Sequence, residues 1–418
     1  MGSVRELLTR SPVTVSAPCR VDTGGTWDIK ALALPLEWQT PATVNMALTL
    51  RTTVTLHPYK EGRVKIFSRG FSHSETASAD RLPFDSPFGL FFAAVSYFGF
   101  HGLEVEIDSQ SPVKSALGGS STALVALLGA LGEVGGEVGL VRDNRVLSRK
   151  EILHLAYHLE DGISGGNCGI QDQAAAVYGG IHLWKWHFGH PAEPLTRILL
   201  LEKEGQEVLS NHILVAYSGK SHVAAHTNHQ WVNDFLSGKT RSGWIKANGA
   251  EPLTRILLLE KEGQEVLSNH ILVAYSGKSH VAAHTNHQWV NDFLSGKTRS
   301  GWIKANGAVH SFSQAIQAGD WDRAAFFLRE EMALRREITP EALDHVTEKM
   351  VTVAESVGCG GRFAGAGAGG SVWALGSKAN TTALRQKWQE LLAPIKDAQI
   401  LDAGIDSEGV RRENALIN

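Results

Sequence analysis

Pro112-Val-Lys-Ser-Ala-Leu-Gly-Gly-Ser-Ser-Thr-Ala123 joins two segments of different character. Before it, Leu103 to Ile107 alternates apolar and acidic residues, as a half-buried strand does. After it, the apolar run Thr122 to Leu131 predicts a helix beginning near Ser120. Gly118 and Gly119 let the backbone approach a ligand closely and take up positive φ. Ser120 and Ser121 stand where a helix N-cap hydroxyl is favoured. The free amides and dipole at such a helix start attract an anion such as phosphate, and Lys114 can add a point charge. The same residues also suit an ordinary Gly-Ser turn that caps a core helix.

Outward from this loop, strands and helices mix. Val13 to Ser16, Ala47 to Leu56, Arg63 to Ser68, Gly180 to His187 and Ser371 to Leu375 read as strands. Pro87 to Phe98 and Arg149 to Glu160 read as helices, and Ser311 to Gly358 as mostly helical with a turn at Gly319-Asp320. A glycine-rich turn runs from Gly358 to Gly370. Strict βαβ alternation is absent, which favours α+β. The 418 residues suggest two or more domains, with a boundary near 205.

With 43% hydrophobic residues and a formal net charge of -3, the chain has ample core material and no basic excess to suit nucleic acid. Cys19, Cys168 and Cys359 are odd in number and far apart, so a reducing cytoplasm fits better than a disulfide framework. MGSVRELLTR lacks an apolar signal-peptide core. The apolar run Thr122 to Leu131 is half of the roughly 20 residues a membrane helix needs. A soluble protein is expected. Ser237-Gly-Lys-Thr240 imitates the end of a Walker A motif, but that motif needs a glycine where Asn233 stands; its copy fails likewise at Asn291.

That copy belongs to an internal repeat: Ala192 to Gly249 recurs without a change as Ala250 to Gly307, a period of 58 residues. Solenoid repeats drift at solvent-facing positions and need three or so copies. Complete identity argues instead for a recent or engineered duplication, or an artefact of sequence assembly. Each copy predicts two strands (Leu195 to Leu201 and Asn211 to Ser218 in the first) and a helix from about Ser221 to Leu236. One fold position cannot be filled twice, so one copy is expected in the native place and the other as an insertion, which surface loops tolerate. Surplus strand edges invite self-association.

Three segments in order, Ala17-Pro-Cys-Arg-Val-Asp-Thr-Gly-Gly-Thr-Trp-Asp28, the Pro112 to Ala123 loop and Arg362-Phe-Ala-Gly-Ala-Gly-Ala-Gly-Gly370, resemble motifs 1, 2 and 3 of the GHMP kinases. These are the galactokinase, homoserine, mevalonate and phosphomevalonate kinases. Motif 1 looks most like the L-fucokinase and D-glycero-D-manno-heptose 7-phosphate kinase branch. The resemblance implies a two-domain α+β GHMP kinase fold. Residues 1–205 would form a ribosomal-protein-S5-like, ATP-binding α/β domain. Residues 206–418 would form a ferredoxin-like α+β domain carrying the duplicated segment as an insertion. It also implies ATP-dependent phosphorylation of a sugar or sugar phosphate, at the anomeric hydroxyl, with Mg²⁺. No nucleic-acid or membrane partner is expected, and a homodimer is compatible with the family.

By the same resemblance, Lys114, Leu117, Gly118, Gly119, Ser120 and Ser121 would bind ATP, and Ser120 with Glu160 would hold Mg²⁺ as hard oxygen ligands. Asp172, in Gly165-Gly-Asn-Cys-Gly-Ile-Gln-Asp-Gln173, would accept the proton of the attacking hydroxyl, and Arg20 would orient it and stabilise transferring charge. Asp22, Gly24, Gly25, Asp28, Gly367 and Gly369 would line the substrate, with Trp27 against a sugar face or in the core. Structural readings remain beside these roles: a helix-end carboxylate for Glu160, a turn cap for Asp172, an ion pair for Arg20.

Departures from the family pattern are Ala116 where motif 2 usually has glycine, Gly119 where serine is common, Cys19 in place of a small glycine, and the run Thr26-Trp27-Asp28. Tyr217 to His222, and its twin Tyr275 to His280, resemble a family segment near the substrate. His222, His226 and His229 have helical spacing but lack the HExxH glutamate, so a polar helix face is the better reading. The rival functions are a kinase for a non-sugar alcohol and a catalytically silent sensor of sugar and nucleotide.

Overall fold

The computed structural model describes residues 3–23, 27–69, 71, 73–112, 115–138, 146–163, 168–190, 194–210, 214–218, 271–275, 298–365, 370–395 and 398–413. The fold is α+β, and its centre is one long strand. After helix α1 (Val4–Arg10), β1 (Val13–Thr23) pairs along nearly its whole length with β2 (Ala42–Pro58). A short helix, α2 (Lys30–Ala33), and a 3₁₀ turn at Leu34–Gln39 lie between them. The other edge of β2 is shared in succession. Thr52 to Pro58 pairs with β5 (Leu103–Ser109), and Ala42 to Met46 pairs with β6 (Ile181–Trp186). β3 (Arg63–Ser68) lies parallel to β5, β4 (Ser74–Ser78) closes that edge, and β7 (Leu195–Leu201) extends the sheet beyond β6.

One face of this sheet carries α3 (Gly89–Phe98), α4 (Gly119–Val138), α5 (Arg149–Ile163) and α6 (Gln171–Tyr178). α4 is buried from Ser121 to Gly132 without a polar stripe, which suits a helix enclosed on all sides. A Cβ added at Gly129 would lie 2.9 Å from Val15, so the helix sits directly on β1. This contact fixes where the first turn of α4 opens.

After α7 (Lys203–Ser210), β8 (Leu214–Ser218) starts a second sheet with β9 (Ile271–Tyr275), β10 (Gly360–Phe363), β11 (Ser371–Leu375) and β12 (Ala398–Leu401). Helices α8 (Arg299–Gln317), α9 (Trp321–Ile338), α10 (His345–Ser356) and α11 (Lys378–Leu392) accompany it. Gly360 and Gly361 belong to a strand because helices press on it: an added Cβ would meet the Ala325 carbonyl at 2.5 Å and the Ala354 Cβ at 3.0 Å. The expected glycine turn from Gly358 therefore contains β10. The chain then returns to the first sheet, where β13 (Arg411–Arg412) pairs with β1.

Both copies of the repeat contribute to this architecture. The first copy supplies β7, α7 and β8; the second supplies β9 and the first nine residues of α8. β8 and β9 are the same strand twice, and both address one place. Ser371 of β11 faces Tyr217 and also its twin Tyr275, while Ile400 of β12 faces Ala216 and also its twin Ala274. The helix expected over Ser221 to Leu236 lies outside the described residues, as do the three histidines and Ser237 to Thr240.

Because the copies are identical, deleting residues 192–249 or 250–307 gives one and the same 360-residue chain. That chain retains every strand and helix described here except one of the paired twins. It is expected to stay soluble and to unfold cooperatively at a Tm no lower than the parent's, measured by circular dichroism. An insoluble product would show that both twins are structural.

Candidate active site

A bulge in β1 sets the site. The pairing of β1 with β2 shifts register between Pro18 and Arg20, which frees the Arg20 N–H from the ladder. That N–H donates instead to the Leu117 carbonyl at 3.1 Å. The Arg20 guanidinium donates to the neighbouring Ala116 carbonyl at 2.9 Å and, through Nε, to Asp172 Oδ1 at 2.7 Å. Arg20 is 5% exposed. Burial opposes its charge, but Asp172 and Asp22 beside it more than offset that and raise its pKa.

Ala116 has φ +63°, a left-handed conformation that costs a non-glycine residue on the order of 1 kcal/mol. The hydrogen bond from Arg20 holds it there. Leu117 is fully buried in the hydrophobic cluster that includes Val21, Ala364 and Trp373, so its side chain anchors the loop. Gly118, at φ +78°, passes against the base of α6: an added Cβ would lie 3.2 Å from Asp172 Cγ. Gly119 and Ser120 then begin α4, with Ser120 exposed.

The hydroxyl that meets Glu160 belongs to Ser121 rather than Ser120; Ser121 Oγ donates to Glu160 Oε1 at 3.0 Å. Ser120 lies one position earlier on the helix, about 100° around its axis. Gln173 donates to the other oxygen of Glu160 at 2.7 Å. A carboxylate and a hydroxyl beside helix-start amides form the oxygen set that suits Mg²⁺ shared with phosphate.

Asp28 is 2% exposed. It accepts the Gln171 N–H at 3.1 Å, and a Cβ on Gly169 would fall 2.0 Å from its Oδ2, so only glycine fits there. Its Oδ1 is buried with no hydrogen-bond partner among the described residues, an atom suited to receive a substrate hydroxyl. Trp27 is buried, edge-on to Trp302 at 5.7 Å, so it belongs to the core. Asp22 departs from the expected substrate-facing position. It is fully buried, with Oδ1 bonded to the Gly365 N–H at 2.9 Å and Oδ2 3.3 Å from Arg362. Lys114, Gly24, Gly25, Gly367 and Gly369 lie outside the described residues.

Gly370 and Ser371, where β11 begins, lie against the glycine loop. A Cβ on Gly370 would lie 3.0 Å from the Ala116 Cβ, and Ser371 Oγ donates to the Ser115 carbonyl at 3.0 Å. Sequence reasoning passed over Gln173, Arg362 and Glu331. The first two end or open quoted motifs; Glu331 lies mid-helix among ordinary charged residues, with no local signal.

Residues 89–180 match the family model described as GHMP kinases N terminal domain. A mevalonate kinase from Thermococcus onnurineus is 29% identical over 34% of this chain and 46% of its own length. One from Thermococcus gammatolerans is 28% identical over 42% of this chain and 50% of its own. The chain thus spans about half the length of the curated relatives it matches. Among solved structures, Lactococcus lactis galactokinase complexed with galactose aligns with TM-score 0.66, covering 97% of this chain and 96% of that one at 15% identity. A D-glycero-D-manno-heptose 1-phosphate kinase from Bacteroides thetaiotaomicron aligns with TM-score 0.62 over 96% and 99%, also at 15% identity. These likenesses show the two-domain α+β fold that GHMP kinases have.

Asp28 and Glu160 both have pKa values pushed up to about 7, chiefly by burial, with the Asp172 charge adding to the shift. A carboxyl raised above its ordinary value near 4 keeps its proton in the folded state while the unfolded chain releases it. The stability it supplies is therefore present in acid and is lost as pH rises toward about 7. The Tm of the parent, compared with that of Glu160→Gln at each pH, is expected to fall between pH 5 and pH 8. A pH-independent difference would show that Glu160 titrates normally.

Proposed function

We propose that this chain is an ATP-dependent phosphotransferase acting on a hydroxyl of a sugar or sugar phosphate, with the anomeric hydroxyl as acceptor. One observation carries this reading: the Arg20–Asp172 pair and the Ser121–Glu160 pair flank the same glycine loop at the start of α4. The amides of Gly118 to Ser121 would receive the triphosphate, where helix dipole and free N–H groups favour anions. Mg²⁺ bound there would neutralise charge on the phosphates, held by Glu160 and Ser121.

Asp172, with its side chain 26% exposed, is open enough to meet an acceptor hydroxyl and take its proton. Arg20 fixes the orientation of that carboxylate and places a permanent cation beside the transferring group. Positioning and charge neutralisation suffice for phosphoryl transfer, so no strongly basic group is needed. The unpaired Asp28 oxygen would accept a hydroxyl of the same substrate, which favours an acceptor with several hydroxyls. A non-sugar alcohol is the second reading, favoured by the sequence likeness to mevalonate kinases. The three free cysteines suit a reducing cytoplasm, and no helix among the described residues is long and apolar enough to cross a membrane.

A coupled ADP-release assay over a panel of fucose, galactose, heptose phosphates, mevalonate and homoserine separates these readings. Turnover with a sugar or sugar phosphate supports the first, and turnover with mevalonate or homoserine the second. Nucleotide binding without ADP above background would point to a sensor. With the accepted substrate, Asp172→Asn is expected to lower kcat by about 10² or more while nucleotide affinity, measured by calorimetry, stays nearly unchanged. Undiminished turnover would remove Asp172 from the mechanism.

A further inference from the structure

Arg362 has no exposed surface, yet it carries a full charge into the interior. Its Nε donates to Glu331 Oε2 at 3.0 Å. Its Nη1 donates to the Phe363 carbonyl at 2.7 Å, to the Asp22 carbonyl at 3.2 Å and to Asp22 Oδ2 at 3.3 Å. The Trp373 Nε1–H also donates to the Asp22 carbonyl, at 3.1 Å. The other Asp22 oxygen accepts the Gly365 N–H at 2.9 Å and lies 3.3 Å from Arg20 Nη1. Charges thus alternate along one line, buried from Glu331 through Arg362 and Asp22 to Arg20 and partly open at Asp172.

Asp22 and Asp172 compete for one guanidinium. Arg20 lies nearer Asp172, at 2.7 Å against 3.3 Å for Asp22. Asp22 can yield because Arg362 neutralises it from the far side. A buried carboxylate deprived of that partner would draw Arg20 back, since unpaired charge in a low-dielectric interior is costly. The same carboxylate holds the Gly365 amide, and a Cβ on Gly365 would lie 3.5 Å from the Ala116 carbonyl. Asp22 therefore fixes both Arg20 and Gly365 beside Ala116.

We propose that Arg362 and Asp22 form a positioning pair that turns Arg20 toward Asp172 and pins Gly365 against the phosphate loop, with Glu331 holding Arg362 in place. The kinetic part of this inference rests on the phosphotransferase reading; the structural part does not.

Arg362→Lys keeps the charge and loses the fork. Glu331→Gln keeps the shape of the support and spares Asp22. Both are compared with the parent by steady-state kinetics and by hydrogen–deuterium exchange. A misplacement near 1 Å can cost about 10²-fold, so kcat is expected to fall about 10- to 100-fold in Arg362→Lys, with KM for ATP and acceptor changed less than about 3-fold. Glu331→Gln is expected to show a smaller loss of the same kind. Exchange at Gly365 should quicken in both, while exchange across α4 stays as in the parent. Unchanged Gly365 exchange in both folded variants overturns the proposal, as does a kcat loss that only tracks the folded fraction. If Arg362→Lys fails to fold, Glu331→Gln decides alone. If the parent phosphorylates no acceptor, the phosphotransferase reading fails separately, and Gly365 exchange still decides the pair.

Discussion

Arg20 is held by a strand, a loop and a helix at once, and the site exists because it can be. The β1 bulge gives its N–H to Leu117, and its guanidinium reaches the Ala116 carbonyl and Asp172. A buried cation tolerates few arrangements, because each lost partner leaves charge stranded in a medium that screens poorly. The demand therefore acts on its neighbours. It keeps Ala116 left-handed, it keeps the base of α6 against the glycine loop, and it keeps two halves of the chain in register through Asp22.

The carboxylates around this cation are treated unequally, and the inequality has chemical meaning. Asp172 is paired and partly open. Asp22 is paired and closed. Asp28 is buried with one oxygen unpaired, and Glu160 has only neutral donors. The last two sit at a cost that a cation or a hydroxyl donor would relieve. Such preorganisation is how a site stores the means to favour a charged ligand without rearranging when it arrives.

Much of the fold could be read from pattern. Arg63 to Ser68 and Ser371 to Leu375 are strands as expected, and α3 and α4 begin within two residues of the expected points. What stayed hidden depended on tertiary context. β1 continues past Ser16 to Thr23 without alternation, because it is covered on both faces. β10 is masked by glycines that helices α9 and α10 require. β4, Ser-Glu-Thr-Ala-Ser, is an edge strand with no apolar face of its own. At the site, the motifs named Arg20, Asp172, Glu160 and the glycine loop, and these do come together. That Glu160 accepts from Ser121, one position after Ser120, needed the helix rotation. Seeing that Asp22 is enclosed needed Arg362, 340 residues away in the chain.

The twin strands β8 and β9 leave the chain with a choice that composition cannot make. Their side chains are the same, so their intrinsic affinities for the groove beside Ser371 are equal, and only the tethers leading to and from each one differ. Such a degeneracy is fragile. A single substitution confined to one twin would tip the balance toward the other and change which 58 residues are surplus, much as a bulge migrates through a slipped duplex. Drift between the copies would thus be felt first as a change of topology, before any side chain at the glycine loop is touched.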